Sequence, residues 1–198
     1  MKKAVIYVHG MLGSAEEAEH YQPLFPGYDV IGFDYQAGTP WEAVTEFPAF
    51  AAPICAQYEE VLLIAVSQGA YFSMHALADL PIAHSFLISP VMDMERMIQT
   101  IMHANGVTEE ALREQGTIGI LSWDYLTYVR EHPLDWQKPT HILYGENDEW
   151  IAFDTVTAFA SRTGAELTVM PGGEHWFHTP EQMAFLDEWL KNALSEKV

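Results

Sequence analysis

The sequence has little of three things, and each shortage removes a class of function. Cysteine is nearly missing: Cys55 is the only one in 198 residues. That excludes an intrachain disulfide and any Cys-rich zinc site. Positive charge is scarce as well, with nine Lys and Arg against 28 Asp and Glu, a formal net charge of −19. Sequence-independent nucleic-acid binding needs basic side chains to displace counterions, and docking on an anionic leaflet needs the same charge. Neither partner is expected. Long apolar runs are the third shortage. Ala4–Val8 follows the basic start Met1-Lys2-Lys3 but stops at His9-Gly10, too short for a signal-peptide core. No stretch approaches the roughly 20 apolar residues of a membrane helix. With 49% hydrophobic residues, the expectation is a cytoplasmic globular chain able to bury a core without staples.

What is present is a series of short apolar runs bounded by turn residues. Ala4–Val8, Tyr28–Phe33, Val61–Val66, His84–Ser89, Thr140–Tyr144 and Glu166–Met170 have strand length, and several are too continuously apolar to leave one face in water. Helical patterns separate them: Trp41–Tyr58, broken or kinked at Pro48 and Pro53, then Gln68–Leu80, Asp154–Ser161 and Pro180–Leu194, the last capped by Thr179. Strands alternating with helices imply an α/β fold with a mainly parallel sheet of about six strands.

Residues 90–136 interrupt the alternation. Met94, Met97, Ile98, Ile101 and Met102 form an amphipathic stripe, and helical patterns over Thr108–Gln115 and Ser122–Glu131 follow. The stretch is too long for a simple crossover, so a helical cap insertion is expected within one domain spanning 1–198. Its methionine and aromatic side chains make Met94 and Trp123 candidate substrate contacts, with Trp176 a third from a later loop. The same stripe could equally pack the insertion onto the sheet.

The strongest chemical signal is Ala65-Val66-Ser67-Gln68-Gly69 between an apolar strand and a helix. Small residues two positions either side of a serine permit a tight strand-to-helix turn. That turn lifts the hydroxyl above the sheet at a helix N-terminus, where developing negative charge is favoured. Ser67 is the candidate nucleophile; an ordinary helix-capping serine is the plain alternative.

From here the chain resembles the α/β-hydrolase family, whose order is serine, acid, histidine. Leu143-Tyr144-Gly145-Glu146-Asn147-Asp148 is similar to the family's acid loop, which would make Asp148 the acid. Pro171-Gly172-Gly173-Glu174-His175-Trp176-Phe177 is similar to its histidine loop, which would make His175 the base. The turn His9-Gly10-Met11 matches the position that supplies one oxyanion-hole amide, so the resemblance implies backbone N–H donors at Met11 and Gln68. Asp93, Glu146 and Asp154 remain alternative acids, and His178 an alternative base. Glu174, His175 and His178 could also suggest a metal site, but no further ligand set at recognisable spacing accompanies them.

The resemblance lacks the two small antiparallel strands that often precede the first parallel strand, which implies a short member. It implies a serine hydrolase acting on a small, largely apolar carboxylic ester, with no cofactor. Amidase, thioesterase or peptidase chemistry on the same triad stays open, as does a hydrolase-fold binding protein with vestigial chemistry.

Overall fold

A computed structural model describes residues 2–196; Met1, Lys197 and Val198 of the expected span lie outside the described residues. Six parallel strands form the sheet: β1 (Lys3–Val8), β2 (Tyr28–Phe33), β3 (Glu60–Val66), β4 (Ile82–Ile88), β7 (Thr140–Gly145) and β8 (Glu166–Met170), in the order β2-β1-β3-β4-β7-β8. All six expected runs are strands. Side chains alternate between two cores at the strand period of two. Ile6, Val8, Val61, Leu63 and Ala65 face one layer, while Val5, Tyr7, Leu62 and Ile64 face the other. Both faces of the inner strands are therefore dry, which is why β1 and β3 read as unbroken apolar runs. The edge strands β2 and β8 are only partly buried.

The first layer holds α2 (Pro40–Gln57), α3 (Ser67–Ala76) and α7 (Phe153–Thr163); the second holds α1 (Ala18–Tyr21) and α8 (Pro180–Glu196). Thr39 caps α2 in a reciprocal pair with Glu42, and Pro40 occupies the first turn. Of the expected break or kink at Pro48 and Pro53, the break does not occur: α2 runs through both as one continuous helix. Each proline forfeits a bond to the carbonyl four residues earlier, at Val44 and Ala49. Both of those residues are solvent-exposed, so water can satisfy the freed carbonyls. The buried positions Ala43, Phe47 and Ala51 hold the opposite stripe on the core. Helix α3 ends at Ala76, four residues before the expected Leu80, where Leu77 at φ −109°, ψ 9° leaves helical conformation. Thr179 does cap α8: its Oγ1 accepts the Gln182 N–H at 3.2 Å.

Between β4 and β7 run α4 (Met94–Ala104), α5 (Glu109–Gln115), a two-stranded ribbon β5 (Thr117–Ile118) with β6 (Leu121–Ser122), and α6 (Trp123–Glu131). Their apolar residues Met94, Ile98, Met102, Leu112, Leu121 and Leu126 join the core of the first layer. Among the described residues no helix is long and apolar enough to cross a membrane.

Candidate active site

Parallel α/β sheets gather their loops at the carboxyl ends of the strands, and three of those loops converge here. The first is the turn from β3 into α3. Ser67 sits at φ 50°, the left-handed region that a side chain other than glycine adopts only under constraint. Ala65 is fully buried. A Cβ on Gly69 would lie 2.1 Å from the His9 carbonyl oxygen, so the helix presses on the end of β1 closely enough to require glycine. The small-x-Ser-x-small pattern thus has its expected packing cause.

The second loop follows β7 and the third follows β8, and they are stitched to one another. Asn147 N–H donates to the Gly173 carbonyl at 2.7 Å, Glu146 N–H to the Met170 carbonyl at 3.0 Å, and Gly172 N–H to the Glu146 carboxylate at 2.8 Å. A Cβ on Gly145 would meet the Glu174 carbonyl oxygen at 2.4 Å, so the two backbones touch.

The result is a continuous run of side chains. Ser67 Oγ is 2.9 Å from His175 Nε2, and His175 Nδ1 is 2.7 Å from Asp148 Oδ2. The Asp148 side chain is 0% exposed. Its other oxygen accepts the N–H groups of Trp150 and Ile151, each at 2.9 Å. A carboxylate at Nδ1 holds the proton on that nitrogen and leaves the Nε2 lone pair for the serine hydroxyl.

The rival residues have other engagements. Asp93 caps α4, accepting the Arg96 N–H at 2.9 Å, and is exposed. Asp154 pairs with Arg96, whose guanidinium pulls the Asp154 carboxyl below its usual value. His178 Nδ1 lies 2.6 Å from the Trp176 carbonyl oxygen. Among the described residues no group of three or more His, Cys, Asp or Glu is placed to hold a metal ion.

Met11 lies in a turn closed by Gly13 N–H to the Gly10 carbonyl at 3.1 Å, and Gly10 lies against Ser67: a Cβ built there would be 3.3 Å from the Ser67 Cβ. Gln68 is the second residue of α3, within the turn whose N–H groups lack intrahelical acceptors. His9 braces this corner, stacked on the Tyr35 ring at 4.4 Å, with Tyr35 Oη donating to the His9 carbonyl at 3.1 Å. The Tyr125 side chain, reaching in from α6, lies beside Gln68, and burial raises its phenol well above the usual value.

Of the three candidate substrate contacts, the structure brings one to the site. Met94 is only 6% exposed, packed into the core, and Trp123 also packs against that core. Their positions are explained by the insertion's need to bury its own stripe. Trp176 instead lines a cavity of about 630 Å³ beside His175, with Trp150, Glu149, Glu174 and His178. Two further residues support the site, Ser89 without a local sequence signal and Gln182 within the Thr179-x-x-Gln182 capping-box pattern. Ser89, at φ 45° and fully buried, donates from Oγ to the His175 carbonyl at 2.7 Å. Gln182, also buried, accepts the His178 N–H at 3.0 Å through its side-chain oxygen. Only the φ > 0 turn after β4 could have pointed to Ser89, and φ is not written in sequence.

No protein-family model matches the chain, and no curated protein sequence matches it. Solved structures do match. Est1E from Butyrivibrio proteoclasticus superposes with a TM-score of 0.74 at 19% identity, covering 99% of this chain and 88% of that one. The α/β hydrolase domain-containing protein 10 from mouse gives 0.77 at 14%, covering 98% and 90%. An esterase from Pyrococcus furiosus gives 0.65 at 20%, covering 99% and 82%.

Proposed function

We propose, from an α/β-hydrolase fold as premise, that this protein is a serine hydrolase cleaving a small, largely apolar carboxylic ester through an acyl-enzyme. The observation that carries the reading is the unbroken run from Ser67 Oγ through His175 to the buried Asp148. The esterases among its structural neighbours support the same reaction class.

In the proposed reaction His175 Nε2 takes the Ser67 proton as Oγ attacks the acyl carbon. Asp148 orients the imidazole and stabilises its charged form. The N–H groups of Met11 and Gln68 are the proposed donors to the tetrahedral oxyanion; removing such a donor typically costs about 3 kcal/mol of barrier. His175 then hands the proton to the leaving oxygen, and a water activated at the same nitrogen releases the acid. The scheme calls on no cofactor. Amides and thioesters could be cleaved by the same groups.

A fluorophosphonate probe tests the reading directly. Wild-type protein should be labelled in stoichiometric amount and should hydrolyse a short-chain aryl ester, and Ser67→Ala should do neither. Equal labelling of the two proteins, or no labelling of the wild type, would overturn it and favour a binding protein on this fold.

A further inference from the structure

The cavity beside His175 adjoins the residue proposed as general acid. Its walls come from the two stretches flanking the relay: Asn147 to Trp150 around Asp148, and Glu174 to His178 around His175. Two tryptophans dominate its apolar surface. Trp150 is 62% exposed, with its ring centroid 6.5 Å from that of His175. Trp176 is 73% exposed; His178 stacks on it at 4.9 Å, and much of the indole stays open to solvent. Exposing two indoles at one opening is costly for a chain with no need of them there, since such rings are ordinarily buried or held at interfaces.

The electrostatics of the cavity have one sign. No Lys or Arg lines it. Asp148 is committed to His175, while Glu149 makes no hydrogen bond or ion pair among the described residues. Glu174 has only long contacts, 3.4 Å to the Gln182 amide nitrogen and 3.7 Å to His178 Nδ1. The chain's net charge of −19 has the same sign. Electron-rich indole faces beside unneutralised carboxylates attract a compact, weakly hydrated cation and repel a carboxylate or phosphate.

We infer that this cavity binds a compact alkylammonium group carried on the leaving alcohol of the ester. The inference rests on the serine-hydrolase reading above for its chemistry. In that step the Ser67 Oγ–carbon bond forms and the carbon–oxygen bond to the alcohol breaks. The serine proton passes through His175 Nε2 to the leaving oxygen, releasing an ammonium alcohol; water then cleaves the acyl-enzyme. A cation held beside the departing oxygen also stabilises the negative charge gathering there, so part of its effect appears in kcat.

The test compares butyrylcholine with 3,3-dimethylbutyl butyrate, its uncharged carbon analogue, each rate divided by that ester's hydroxide-catalysed rate. At low ionic strength kcat/KM should favour the cation by about tenfold or more. The ratio should fall to within about twofold in Glu149→Gln/Glu174→Gln and drop substantially in Trp176→Ala; these exposed positions leave folding unburdened. A wild-type ratio near one, or a ratio unmoved by the substitutions, overturns the inference. Calorimetric titration of tetramethylammonium into wild-type protein, against neopentyl alcohol, separates the two failures. Saturable tetramethylammonium binding without any ester turnover or fluorophosphonate labelling would sink the hydrolase reading and leave the cation site. Turnover without that binding or selectivity would do the reverse.

Discussion

Asp148 uses its two oxygens differently, one on His175 and one on the backbone of Trp150 and Ile151, so its direction is fixed before any substrate arrives. Asparagine at this position would keep the shape but present an amide where the imidazole needs an acceptor, favouring the wrong tautomer. Asp148→Asn is expected to lower kcat for an aryl ester by about 10³–10⁴-fold. Asp93→Asn, which keeps a capping side chain at α4, should change kcat by less than about twofold. Steady-state kinetics of the two variants decide it, and the reverse ranking would move the acid to the start of α4. Ser67, Asp148 and His175 were legible in the sequence because each stands in a short pattern whose meaning is local. Ser89 was not, because the carbonyl it holds, that of His175, is supplied by distant chain; Gln182 holds the nearby His178 N–H from within the Thr179-x-x-Gln182 capping box, a local pattern.

At the scale of elements, the strands and most helices could be read from apolar spacing alone, while their order in the sheet and the unbroken course of α2 could not. Strand order depends on which crossovers pack, and a proline's effect depends on whether the carbonyl it abandons reaches water. The docking of α6 on α3 is a case where packing sets a titration. His75 of α3 lies 3.0 Å from Tyr128 Oη, stacks near Tyr71, and meets the His132 ring edge-on, while Trp41 of α2 adds an edge to Tyr128. Burial first, and then His132, lower the His75 value from its ordinary 6.5. Folding therefore favours the neutral ring. That stability is full above the unfolded value and is lost as pH falls from there through the lowered folded value. A melting-temperature series between pH 8 and 5 should show His75→Gln losing less stability than wild type toward acid. Parallel curves for the two proteins would exclude His75 as a contributor.

For the molecule as a whole, −19 charges on 22.4 kDa create a self-repulsion that no single contact offsets. Salt at about 0.2 M shortens the screening length to under 10 Å. The melting temperature should accordingly rise from low salt to that concentration, and a calorimetric scan showing a fall would contradict it.

The proposed nucleophile and its relay stand on opposite sides of one ladder, β4 against β7, formed by Ser85–Ile88 with Thr140–Leu143. Helices α4 to α6 leave the chain and return on either side of that ladder. The two halves that carry the chemistry are registered to each other by the strands. Inherited changes in the length or sequence of those helices could therefore redraw what sits above the nucleophile while the reacting atoms keep their places.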